Sequence, residues 1–215
     1  MSPLRLFVLI TLLLMCSACA NVYYDTMESV GIHKRDILVD RVESARDAQA
    51  DAQEQFQSAL EQFGAVIRLH ESDLKQAYEQ LDDEYQACES AAAAVSSRIE
   101  KVESVADALF EEWHQELDLY ENQNLKASSE KKLKQTRSRY REMLASMQRA
   151  ERSMQPVLNT LRDNVLFLKH NLNAQAIGAL RGEFGSLKAD IDTLVRRMNQ
   201  SIKRSNAFIQ NMQAG

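Results

Sequence analysis

The chain has 215 residues, 45% of them hydrophobic and 27% charged, with only 6 Gly, 2 Pro and 7% aromatic residues. So few breakers nearly exclude an all-β or α/β domain, whose turns and phosphate loops need Gly and Pro, and favour long helices instead. A formal charge of -5 gives no global reason to expect a nucleic-acid partner.

Met1–Arg5 carries one positive charge, Leu6–Met15 is uniformly apolar, and Cys16-Ser17-Ala18-Cys19 follows. About ten apolar residues are too few to span a bilayer, so this is read as a signal peptide rather than a permanent anchor. Small residues before Cys19 resemble the lipobox of bacterial lipoproteins. That resemblance implies cleavage after Ala18 and lipidation of the Cys19 thiol. Cys16 stands where such proteins usually carry Leu, and Cys16 itself is the poorer candidate because Leu14 and Met15 precede it. Ala20, rather than Asp, follows the cysteine, which in lipoproteins favours the outer membrane. The competing reading is ordinary signal-peptidase cleavage at an A-x-A-like site. The expected organisation is a signal peptide over 1–18, a lipidated tether over 19–33 and a single helical bundle domain over 34–215. Lipidation and cleavage leave Cys88 as the only free thiol, without an intramolecular disulfide partner, and its place on an apolar seam predicts a buried, inert side chain.

In the tether, Tyr23, Met27 and Val30 recur at helical spacing before Gly31. From Asp36 a heptad seam begins. Leu38, Val42, Ala45, Gln49, Ala52, Phe56, Ala59, Phe63, Val66 and His70 step by 4 and 3. A second seam, Leu74, Tyr78, Leu81, Tyr85, Cys88, Ala92, Val95, Ile99, Val102, Ala106, Leu109, Trp113, Glu116 and Tyr120, is offset by one residue. The offset predicts a turn at Leu69–Asp73 with Ser72 as a cap. One continuous helix with a phase slip is the alternative.

A loop is expected at Asn122–Ser128, with Ser128 and Ser129 capping the next helix. That helix buries Leu133, Tyr140, Leu144, Met147 and Met154. Pro156 predicts a kink or restart, after which Leu158, Leu161, Val165, Leu168 and Leu172 continue the seam. The last helix uses Ile177, Leu180, Phe184, Leu187, Ile191, Leu194, Met198, Ile202 and Ile209.

Glu71–Glu121 holds 15 acidic against 3 basic residues, and Lys126–Arg152 holds 9 basic against 3 acidic. A hairpin about Gln123–Leu125 would place Arg137, Arg139 and Arg141 beside Glu111, Glu112 and Glu116. The fold class expected is all-α: an elongated antiparallel helical bundle or coiled coil with a protruding long helical hairpin.

Reactive constellations are sparse. Glu111-x-x-His114 has the spacing used in di-metal bundles, but none of His33, His70 and His170 supplies a second pair. Gly178, Gly182 and Gly185 lack phosphate-loop register and read as close-contact or helix-weakening positions. No catalytic, cofactor-binding or metal-ligating residue is assigned, and no enzyme activity is expected. Trp113 is read as core more than as contact surface.

Several segments resemble a known family. They are Gly31-Ile32-His33-Lys34-Arg35-Asp36-Ile37-Leu38-Val39-Asp40-Arg41-Val42 with its continuation to Gln49, Leu109-Phe110-Glu111-Glu112-Trp113, and Val165-Leu166-Phe167-Leu168-Lys169-His170-Asn171-Leu172-Asn173-Ala174. Together with Asp82-Glu84-Tyr85, they are similar to small proteobacterial lipoproteins catalogued only as a domain of unknown function. The resemblance implies a helical envelope protein and carries over no functional residue.

The expected function is a non-enzymatic scaffold or adaptor for envelope proteins. It would be anchored to the periplasmic face of the outer membrane through the lipid on Cys19, with Glu100–Gln148 facing an envelope protein partner and no nucleic acid involved. The alternative is a lipid-sensing or membrane-remodelling rod contacting anionic head groups through Arg181, Lys188, Arg196, Arg197, Lys203 and Arg204. The 4-3 spacing serves packing between copies equally well, which leaves homo-oligomers open.

Overall fold

The computed structural model describes residues 33–68, 74–171 and 174–214. Its elements are α1 (Lys34–Val66), α2 (Leu74–Glu116), a single 3₁₀ turn (Leu117–Leu119), α3 (Gln123–Arg152), α4 (Met154–His170) and α5 (Ala174–Gln213). The described residues contain no strand, and the molecule is an all-α bundle of long packed helices. None of these helices is long and apolar enough to cross a membrane.

The first seam is realised throughout its described part. Leu38, Val42, Ala45, Gln49, Ala52, Phe56, Ala59, Phe63 and Val66 are all buried. A 4-3 repeat keeps one stripe of α1 facing its neighbours over 33 residues, and each large apolar side chain withdrawn from water contributes about 1.5–3 kcal/mol. The turn expected at 69–73, with His70 and Ser72, lies outside the described residues. So do the expected signal peptide, Cys19 and the expected tether up to residue 32.

Two compact units divide these helices. The first contains residues up to 41 together with 100–139. In it the end of α2 and the start of α3 run antiparallel about the 3₁₀ turn, as the hairpin reading expects. Trp113 Nε1 donates to Ser129 Oγ at 2.9 Å, and Lys126 Nζ pairs with Asp118 at 3.2 Å. The hairpin is not alone in this unit. The opening turns of α1 pack with it, burying Ile37, Leu38 and Val39, and Lys34 Nζ meets Glu112 Oε1 at 2.8 Å.

The second unit contains residues 42–99 and 140 onward. α1 runs antiparallel to α2, with Gln55 and Ser58 both donating to Glu84. It also runs antiparallel to α5, where Arg46 meets Asn206 at one end and Arg181 donates to the Ile67 carbonyl at the other. Tyr140 against Phe208 and Glu142 against Arg204 set α3 antiparallel to α5.

α3 and α4 are separated by Ser153 alone. Its N–H bonds the Ala150 carbonyl at 3.1 Å and its hydroxyl bonds the same oxygen at 2.6 Å. Pro156, three residues on, has no N–H for the Arg152 carbonyl, and its ring crowds that group. The expected restart therefore falls at Ser153, which leaves Pro156 in the first turn of α4, where its missing donor costs little.

Three local expectations are corrected. α3 starts at Gln123, not near Ser129, because the Asn122 carboxamide oxygen accepts from the N–H groups of Asn124 and Leu125 at 2.9 and 3.2 Å. Asn122 is thus the N-cap, and Ser129 instead serves Trp113. In α5 the 4-3 step continues from Met198 through Ser201, Ser205, Phe208 and Met212, all buried, whereas Ile202 is only half-buried. Register prevails over hydropathy there. In α2, Glu116 and Tyr120 are exposed, and Leu117 of the 3₁₀ turn turns inward instead.

Candidate interaction surface

The sequence-derived reactive groups do not converge. Glu111 and His114 are both exposed, and Glu111 accepts a hydrogen bond from Gln115 at 2.8 Å. Among the described residues no group of three or more His, Cys, Asp and Glu side chains could hold a metal ion. Cys88 is buried on its seam, with Sγ donating to the Gln55 carbonyl at 3.7 Å. Burial, with Glu84 nearby, pushes its thiol up to about 12.

A β-carbon built on Gly178, Gly182 or Gly185 meets nothing within 4 Å, so these glycines do not serve close helix contact. The close approach is at Gly64, where a β-carbon would lie 3.4 Å from Phe184 Cε2. Phe63 stacks on the same ring with centroids 6.1 Å apart. Sequence inspection missed Gly64 because nothing in α1 signals which neighbour crosses it.

The charged faces pair differently from expectation. Glu112 takes Lys34 as partner. Arg137 donates to the Phe110 carbonyl at 3.2 Å and lies 5.2 Å over the Phe110 ring, a cation–π arrangement. Lys131, Lys134, Arg139 and Arg141 remain exposed on α3. On α5, four of the six cations read as a lipid-contacting face are engaged within the chain. Arg181 bonds the Ile67 carbonyl, Lys188 pairs with Asp192, Arg196 donates to Thr193, and Arg204 approaches Glu142.

Two further features had no clear sequence signal. An open groove of about 480 Å³ lies in the second unit beside the α3–α4 break, lined by Tyr85, Glu89, Ala92, Arg152, Met154 and Arg162 among others. It exists because Ala92, Ala93 and Ser96 present short side chains to that break. Tyr85 donates to Glu89 at 3.0 Å on its wall, and desolvation with that hydrogen bond raises the phenol above its ordinary value. The lining mixes both charges and converges on no point. The second feature is apolar: Leu119 is 80% exposed, Leu125 57% and Tyr120 38%, all within the connection between α2 and α3 and the first turn of α3. Trp113, near the end of α2, is half-buried.

A charged, long-helix bundle with no assembled reactive cluster among its described residues is the class these observations define. The chain matches the family described as a protein of unknown function (DUF2959) over residues 23–212, and it belongs to that family. No curated protein sequence matches it.

Proposed function

We propose that the chain is a non-enzymatic scaffold or adaptor for envelope proteins, held at the periplasmic face of the outer membrane by a lipid on Cys19. The flanks of the hairpin over 100–148 are the surface offered to an envelope protein partner. One observation carries this reading. Lys131, Lys134, Arg139 and Arg141 are exposed along α3, and among the described residues none of them forms an ion pair with the acidic side chains of α2. An unneutralised basic face steers an acidic partner and fixes its orientation more than it adds affinity.

The test is in-cell crosslinking followed by purification of the full-length protein. K134E combined with R139E and R141E is expected to lose specific crosslinked partners while remaining in the outer-membrane fraction. C19A is expected to leave that fraction and lack the acyl mass. Identical partner sets for wild type and the triple variant would sink the role given to this face.

A further inference from the structure

The exposed apolar connection between α2 and α3 has a chemical character of its own. Leu119 ends the 3₁₀ turn, Tyr120 follows it, and Leu125 lies in the first turn of α3. Water-exposed side chains of this size are ordinary when scattered. Here three of them fall within seven residues. Lys126 pairs with Asp118 beside them, so the patch carries little net charge apart from Glu121. Two leucines and a tyrosine with balanced flanking charge suit a lipid headgroup boundary, where a phenol keeps its hydroxyl wet and its ring in the apolar layer.

The position of the chain start gives the occupant. α1 begins at Lys34, and Lys34 pairs with Glu112, only seven residues before Leu119 in the chain. Seven helical residues span roughly 10 Å. Residues 20–32 separate Cys19 from the described chain, and thirteen residues reach at most about 45 Å. The chain therefore enters the first unit near this patch. A lipid on Cys19 would hold the patch at a high effective concentration over the same bilayer, where even a weak apolar contact is occupied.

We propose that the connection carrying Leu119, Tyr120 and Leu125 dips into the headgroup boundary of the bilayer that holds the lipid on Cys19. The proposal rests on the anchor reading above. It gives the protein two membrane contacts, one covalent and one apolar, and leaves the basic flank of α3 for the protein partner.

The molecule contains one tryptophan, so the probe is L119W in a W113F background of the full chain. S90W in the same background is the reference, since Ser90 is exposed on α2 in the second unit. Lipidated protein is reconstituted in phosphatidylethanolamine–phosphatidylglycerol vesicles containing brominated phospholipid. The L119W tryptophan is expected to emit further to the blue and to be quenched at least threefold more than the S90W tryptophan. Adding L125D is expected to return its quenching to the reference value.

Three results overturn the proposal. In one, L119W is quenched no more than S90W. In another, its emission is already shifted without vesicles, because the chain itself covers the patch. In the third, the shift appears only on adding envelope proteins, which assigns the patch to a protein. Intact mass reports the anchor separately. If the chain carries no lipid, the same quenching is read with millimolar vesicles added to the unlipidated protein. Quenching of L119W above the reference then supports the apolar contact without the anchor, and its absence overturns both.

Discussion

At the scale of single residues, Cys88 shows how a bundle disarms a nucleophile. A thiol attacks as thiolate, and here burial keeps the proton on until about 12. The unfolded chain releases that proton near the ordinary value of 9.0. The folded-state value is therefore raised for a group that becomes charged on deprotonation. Its contribution to stability is complete below about 9 and is lost as pH climbs from there to about 12. Native protein at pH 8 is expected to leave Cys88 unmodified by a soluble aromatic disulfide, with full reaction only in denaturant. Rapid native labelling at pH 8 would show that the α1–α2 seam opens far more readily than its packing implies. The placement of Cys88 was legible because it falls on a run of 4-3 positions. Gln49, on the same kind of seam in α1, was equally legible as to place. Its bonding was not, because no sequence pattern shows that its amide reaches the Met147 carbonyl.

At the scale of elements, seams were legible wherever apolar residues fill nearly every step, as along Leu38–Val66, where Gln49 is the one polar step. They were lost where Ser201 and Ser205 occupy core positions and Ile202 drew the assignment off register. The capping serines expected at 128 and 129 were misplaced for another reason. Several polar residues there satisfy the same composition rule, and only geometry selects Asn122. Lys34 was missed altogether, since a lysine reads as solvated, yet it is 3% exposed and paired. That ion pair joins the start of α1 to α2. Removing one charge of a buried pair takes away part of what compensates the other's desolvation. E112Q is expected to destabilise the first unit by about 1–3 kcal/mol, whereas K34M, which keeps the aliphatic stem, costs less than about 1 kcal/mol. Amide hydrogen exchange over 34–41 separates the two. Unchanged protection in E112Q would show that apolar packing of Ile37 and Leu38 alone fixes the start of α1.

At the scale of the whole molecule, an all-α outcome was forced by composition, and the family resemblance was carried by segments that the match over 23–212 contains. What composition could not show is how polar atoms are distributed in the core of the second unit. Gln49 Oε1 and Ser201 Oγ are buried without a hydrogen-bond partner among the described residues. Antiparallel pairing of Arg46 with Asn206 puts the two at nearly the same level of α1 and α5. A polar layer of this kind lowers stability while penalising helix pairings that slide by a heptad. Q49L with S201A is expected to raise stability by about 1–2 kcal/mol in urea titration, and native mass spectrometry should then show additional self-associated species. A double variant that is less stable and no more heterogeneous would mean that the layer contributes packing rather than register.

The pairing of α1 with α5 also bears on the order in which the chain is made. Arg46 and Asn206 lie 160 positions apart, and Ile67 meets Arg181 across 114. A chain synthesised from its N-terminus completes α1 long before α5 exists to cover it. Until Leu187, Ile191, Leu194 and Met198 arrive, the stripe from Ala52 to Phe63 lacks one of its native neighbours. Newly made chains therefore carry that stripe incompletely covered until the last helix is complete. A stop codon just ahead of residue 174 leaves the product in that half-clothed condition, so completion of this core waits on α5.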